Sequence, residues 1–354
     1  MGAFETNSGK VGGEIFKAEL FPFTGAKRKE VISGPQFGVD TAMIELAGGQ
    51  VLVTSSDPLS LLPALGMELS AALSVHLIVN DMATSGKAPQ YAQFVLNLPP
   101  TLSKEDFQAY WQHIHLLCEK MEIAITGGHT GQIEGQNSSI SGAGTFFLVA
   151  QKEEVLSSKN AQPGDVILVT KSMALSSTSI LARVFPQTII EKCGEEVQKI
   201  AAAGLEELSV LPEAVLASAT LVPNEELHAM HDVTEGGVLG AISEMAIASG
   251  CGFEVEHERL PIKAETKAVA ELFEIDPALS IGAGSMIMAV RPDAVEKLTH
   301  ALQGKGIAAT AVGQFTLEEF GQKLKRKGQL ENFSFGGEDP YWEAFFRAFK
   351  AGWK

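Results

Sequence analysis

The segment HDVTEGGVLGAISEMAIASG, residues 231–250, says most about how this chain folds. Asp232 and Glu235 stand three apart just before an apolar run, the spacing of a capping box with Asp in place of Ser or Thr. Val238, Leu239, Ile242, Met245 and Ala246 then recur on one helical face and Gly250 supplies a stop, so the pattern predicts a helix over 235–249. Gly236 and Gly237 fall in its first turn, where each is worse than Ala by roughly 1 kcal/mol. Their offsetting use is close approach, because the free N–H groups of a helix start can face an anion. An ordinary capped helix with a loose start fits the same residues. A single histidine such as His231 is more commonly a hydrogen-bonded core residue than a catalyst.

Around this segment, VILVT (166–170) reads as a strand leading into a helix after Lys171. Residues 252–256, 285–290 and 307–312 read as strands, and 293–303 as a helix. In the first half, TAMIELA and QVLVTSS flank Gly48-Gly49 as a hairpin closed by a two-residue turn. The apolar stretch from Leu65 to Thr84 is too long for a strand and stops at Gly86, so it is a helix. Residues 104–121 form another helix, EIAIT a short strand running into Gly127-Gly128, and Ile140 to Ala150 a strand between layers. The polar stretch QKEEVLSSKNAQPGD sets a domain boundary near residue 155, giving domains over 1–155 and 156–354. Strands alternating with helices predict layered α/β (α+β) structure in both.

The hairpin has a chemical consequence. A two-residue turn at Gly48-Gly49 puts Asp40 opposite Asp57, with Cβ atoms roughly 4.5–5.5 Å apart, where like charges destabilise. A hard cation with oxygen ligands would offset the repulsion; a ladder that frays before residue 40 would leave both carboxylates solvated. Asp81, beside Asn80 in the apolar VHLIVNDMA, is either a local cap or a third oxygen ligand for the same cation. TGGHTG (126–131) leaves a strand with paired glycines that could admit a phosphate, and TKSMALSSTS (170–179) places Lys171 at a helix start that could hold an anion. Neither is a G-x-x-x-x-G-K-[ST] loop. His76, His113 and His115 read as structural, the last two being two apart on a helix and so on different faces.

The 354 residues carry a formal charge of −16, with 45% hydrophobic and 20% charged residues. That balance suits a large globular core and repels nucleic acid and anionic lipid, so neither is expected as a partner. No run of about 18 apolar residues proposes a membrane span. The N-terminus lacks the pattern of a signal peptide, and its Gly2 start fits a myristoylation signal only loosely, with nothing polybasic behind it. Cys118, Cys193 and Cys251 are odd in number and widely spaced, as in a reduced, cytoplasmic protein.

Taken in order, GVDTAMI (38–44), SSDP (55–58), VNDMATSGKAP (79–89), TGGHT (126–130), PGDVILVTKS (163–172), HDVTEGGVLGA (231–241) and GAGSMIMAV (282–290) resemble the aminoimidazole-ribonucleotide (AIR) synthase, or PurM-like, superfamily. The superfamily includes AIR synthase, thiamine-monophosphate kinase, selenophosphate synthetase and the hydrogenase-maturation dehydratase, and HDVTEGG is most similar to the maturation-factor (HypE-like) branch. The resemblance covers about residues 30–315. It implies an N-terminal sheet domain that dimerises into a shared barrel, an α/β C-terminal domain, and ATP with Mg²⁺ in the cleft. By motif, Asp40, Asp57 and Asp81 would be metal ligands. Asn80, Gly127, Gly128, His129, Thr130, Gly236 and Gly237 would line the nucleotide with them, and Asp232, His231 and Lys171 would be the catalytic candidates. The implied activity is ATP-dependent phosphoryl transfer to, or activation of, a small-molecule oxygen. The alternatives are a nucleotide-binding maturation-like accessory factor with a protein partner and little turnover, and a structural homodimer. Three departures stand out. Val39 replaces the first residue of the usual Asp-Asp pair, and His129 stands where relatives have Asp, with Glu134 as a compensating candidate. No cysteine follows Cys251, so the terminal-cysteine thiocyanate chemistry is not expected.

Overall fold

The structure, a computed structural model, describes residues 13–136 and 141–354. The Gly2 start and Ile140 lie outside the described residues. The first domain is built on β1 (Val31–Ser33), β2 (Ala42–Glu45), β3 (Gln50–Pro58), β4 (Tyr91–Leu98), β5 (Ala124–Gln132) and β6 (Ser141–Gln151), in spatial order β1-β2-β3-β6-β4-β5. All neighbours are antiparallel except the parallel pair β4–β5 at one edge. Helices α1 (Gly66–Ala83) and α2 (Lys104–Lys120) cover one face. Alternation along each strand supplies that face with Val51 and Val53, Ala92, Phe94 and Leu96, and Phe146 and Leu148, which pack on Ile78, Val79, Tyr110 and Ile114. By length and mean hydropathy (1.2) the stretch Pro63–Ala83 could cross a bilayer. Here it is the helix on which this sheet is built, with Ser74 bonded to the Tyr110 hydroxyl at 2.8 Å and Asn80 fully buried.

The hairpin forms with a different register. β2 pairs Ala42 with Thr54 and Glu45 with Val51, one residue away from the expected alignment. The cause is the turn: Leu46 N–H reaches Gln50 O at 2.8 Å, so Ala47, Gly48 and Gly49 form a three-residue loop, with both glycines at positive φ. The ladder also stops at Ala42, so Asp40 is not a strand residue facing Asp57. Asp40 and Asp57 are therefore not cross-strand partners in the hairpin, and Asp57 pairs instead with Gly144 on β6.

The second domain is a seven-stranded sheet of β7 (Val166–Thr170), β8 (Leu227–Asp232), β9 (Cys251–Glu256), β10 (Met286–Val290), β11 (Ala309–Leu317), β12 (Gln322–Arg326) and β13 (Gln329–Asn332), in the order β13-β12-β9-β11-β7-β10-β8. Its central strands are apolar on both faces because both are covered. One face packs on the helix Gly237–Ser249 through Val238, Leu239, Ile242 and Met245. The other packs on Leu211–Thr220 and Val295–Gln303 through Leu168, Met230, Met288, Leu298 and Leu302. Ala83 at the end of α1 joins this second cluster, so the first domain leans directly on the second. The chain finishes in the helix Pro340–Lys350, whose Tyr341, Ala344 and Ala348 pack with Phe185 and Phe273.

Candidate functional site

Four aspartates converge where the domains meet. Asp57 lies on β3 two residues after Ser55, on the helix-covered side of the sheet, and Ser55 donates its hydroxyl to Asp81 Oδ2 at 2.7 Å. Asp81 is in the last turn of α1 and Asp232 is the final residue of β8. Burial pushes the Asp81 carboxyl well above the usual carboxylate range, and the charges of Asp232, Asp40 and Asp57 push it further. Every charge acting on it in this way is a carboxylate. Asp40, in the loop before β2, reaches the second domain, with Oδ2 taking the His231 Nδ1–H at 2.7 Å and the Ser158 hydroxyl at 3.4 Å. Ligand atoms of Asp40, His231 and Asp232 lie within 4.8 Å of one another.

His231 is 1% exposed and lies between two acceptors, Asp40 at Nδ1 and Glu244 Oε2 at Nε2, 3.1 Å away. Burial alone would discharge the ring, but the Asp40 and Glu244 carboxylates outweigh it and hold the imidazole charged well above its ordinary range. Both nitrogens are engaged by carboxylates, so His231 as placed carries no proton to a substrate; it positions Asp40. This corrects the catalytic role expected of it.

Other expected site residues are placed elsewhere. Asn80 donates to Leu208 O and accepts from Val210 N–H, each at 2.9 Å, so its fully buried amide fastens α1 to the second domain and does not face a nucleotide. Lys171 is not on a helix: it has φ 56°, and the following helix starts at Leu175. Its ammonium is held by Glu207 O, Ser209 O and buried Glu213 at 3.1, 2.7 and 2.9 Å, which leaves none of its three donors for an anion. Gly127, Gly128, His129 and Thr130 lie inside β5, not at a strand exit. Gly128 shares a cross-strand row with Phe94, Gly144 and Asp57, which places it three strand spacings, about 14 Å, from Asp57. Its glycine is needed for sheet packing, since a Cβ there would come within 1.8 Å of Phe94 O. His129 and Glu134 are exposed.

The helix start at Gly236-Gly237 also differs from expectation. Gly236, at φ 81°, is the N-cap and Asp232 belongs to the preceding strand, so no capping box forms. The Gly236 N–H is taken by the Asp339 carboxylate at 2.8 Å, Phe335 packs so closely that a Cβ on Gly236 would meet its ring at 2.4 Å, and Trp342 donates to Glu235 at 3.3 Å. The anion at this helix start is the chain's own. Burial pushes the Asp339 carboxyl up to about 6 despite its backbone donors.

Four acidic side chains close enough for their charges to act on Asp81 or on one another, with one buried imidazolium behind them, fit a hard divalent cation such as Mg²⁺, which takes oxygen ligands. Sequence reasoning missed Ser55, Ser158, Asp339 and Glu244. Of these only Glu244 has a visible signal, a lone carboxylate in the apolar stretch GAISEMAIAS.

The sequence matches the AIR synthase related protein N-terminal domain over residues 38–147 and the C-terminal domain of the same description over 162–322. Carbamoyl dehydratase HypE of Azotobacter vinelandii is 26% identical over 284 residues, 79% of this chain and 79% of that protein. A chain of a HypE–HypF complex has a TM-score of 0.70 at 18% identity, covering 91% of this chain and 100% of that one. The hydrogenase maturation protein HypE in complex with ATP gives 0.65 at 19%, covering 85% and 89%. At such identities the two structures speak for the fold. With both domains matched, this chain belongs to the AIR synthase related protein family and has its PurM-like two-domain fold.

Proposed function

We propose that the protein binds Mg-ATP at the Asp40, Asp57, Asp81 and Asp232 cluster and uses it to transfer a phosphoryl group to, or activate, an oxygen of a small molecule. The observation carrying this reading is the convergence of three carboxylates from two domains on a fourth, Asp81. A similar protein solved with ATP supports the nucleotide. Magnesium would supply charge neutralisation to the phosphates. The chain's own residues do the positioning: Ser55 orients Asp81, and His231 aims Asp40. We further propose a cytoplasmic homodimer joined through the outer face of the first sheet, where Tyr91 stacks on Phe147 at 5.3 Å and Val95 is 40% exposed.

The test is Mg²⁺-dependent ATP turnover across a panel of small acceptors. ADP formation with one acceptor class supports the enzyme; tight ATP binding without ADP under any acceptor sinks it. That second outcome favours an accessory factor acting through a protein partner, a reading supported by the similarity to a chain solved as a HypE–HypF complex. Absence of ATP binding by calorimetry with Mg²⁺ overturns both.

A further inference from the structure

The loop carrying Asp40 is fixed to the second domain independently of its side chain. Gln36 donates to Ala248 O at 3.1 Å, and Gly38, at φ 76°, sits so tightly on the helix Gly237–Ser249 that a Cβ would come within 2.4 Å of Glu244 O. Backbone contacts therefore settle where residues 36–40 lie. What they leave open is which way the Asp40 carboxylate turns.

A chain of three side chains settles it. Glu244 Oε2 accepts from His231 Nε2–H at 3.1 Å, and His231 Nδ1–H donates to Asp40 Oδ2 at 2.7 Å, with the three side chains 6%, 1% and 8% exposed. A carboxylate on each side requires a hydrogen on each ring nitrogen, so Glu244 is what keeps His231 a two-sided donor. Both of Asp40's contacts fall on Oδ2, and Oδ1 accepts no hydrogen bond among the described residues. We infer that Glu244 is a positioning residue for the cation site: through His231 it holds Asp40 with Oδ1 presented to the metal. The inference rests on the Mg-ATP reading and extends it, because it makes affinity for the cation depend on a carboxylate that cannot touch it. Partners behind a ligand commonly set metal affinity by ten- to a hundredfold.

The experiment is a Mg²⁺ titration of ATP binding by wild type, Glu244→Ala and Glu244→Gln, with urea midpoints measured in parallel. Glu244→Ala should raise the Mg²⁺ concentration for half-saturation about tenfold, with ATP affinity recovering toward wild type at saturating Mg²⁺. Glu244→Gln, which keeps an acceptor for Nε2–H without the charge, should move it less. Lowered urea midpoints with unmoved Mg²⁺ half-saturation would reduce Glu244 to a structural residue and overturn the inference. If neither variant folds, nitrogen-15 spectra of the wild type decide: two His231 ring N–H resonances, with the Nδ1–H shifting on addition of Mg-ATP, support it, and a single or unmoved signal overturns it. Wild-type protein that binds no Mg-ATP would overturn the proposed function and this inference together, whereas normal wild-type binding with unmoved variants removes only the role of Glu244.

Discussion

Ser55 Oγ lies 2.7 Å from Asp81 Oδ2, and that one bond joins the strand carrying Asp57 to the last turn of the helix carrying Asp81. It favours the ionised form of a carboxyl that burial and three neighbouring aspartates push the other way. Asp81→Asn should therefore stabilise the metal-free protein, by about 1–3 kcal/mol, while weakening Mg-ATP binding at least tenfold. Chemical denaturation and calorimetry on the same sample check both halves. A variant that loses stability and keeps affinity would show that Asp81 is not a ligand.

Asp57→Ala should weaken Mg-ATP binding and leave the fold intact, because the side chain is half-buried and projects toward the cluster. Circular dichroism and a binding isotherm suffice. Unchanged affinity would dismiss the metal assignment.

Lys171 predicts the opposite pairing of effects. Lys171→Met leaves Glu213, which is fully buried, without its counter-charge and should cost about 3–5 kcal/mol in urea unfolding. The folded fraction should bind Mg-ATP as wild type does, since the ammonium faces Glu207, Ser209 and Glu213. A large loss of affinity with little loss of stability would restore Lys171 to the site.

His76 gives the pH dependence. Burial first, then the Lys120, Lys171 and His113 charges, lower it to about 4, and its Nδ1 has no partner among the described residues. The unfolded chain takes up this proton near the ordinary value of about 6.5, so it binds more protons than the folded protein between pH 6.5 and 4. The stability contribution is whole above pH 6.5 and is lost as pH falls through that window, by up to roughly 3 kcal/mol. His76→Leu should flatten this part of a stability–pH curve measured by urea midpoint. An unchanged slope would assign it to other groups.

Val95→Lys tests the dimer. A lysine there, on the same exposed face as Tyr91, should yield monomer by light scattering without changing the thermal midpoint of the protomer by more than a few degrees. Wild-type protein that is already monomeric at micromolar concentration would remove the proposal outright.

Much of the fold was legible because its signals are local. The strand VILVT, the helix 104–120 with Ser103 as its N-cap, and the apolar face of the helix ending at Gly250 all follow from periodicity and capping. β4 was readable in YAQFVLNL, whose alternate residues are buried, yet the reading gave it no element. The hairpin register failed because three loop residues, not two, close it, and a single residue reverses which side chains face each other. Asp81 was legible as a carboxylate in an apolar helix. The same signal stood unread at Glu213 and Glu244, each of which turns out to neutralise a buried cation, Lys171 or His231. Asp339 was not legible, since nothing in residue 339 announces contact with residue 236.

The Asp339 carboxylate makes that helix start a question of competition. A ligand phosphate can gain the Gly236 N–H only by displacing an anion of the same chain, which the fold, with Phe335 and Trp342 packed beside it, holds in place without any loss of translational freedom. Weak anions in solution will therefore not dislodge it. A nucleotide anchored independently at the aspartate cluster could, because its own phosphate would then be tethered as well.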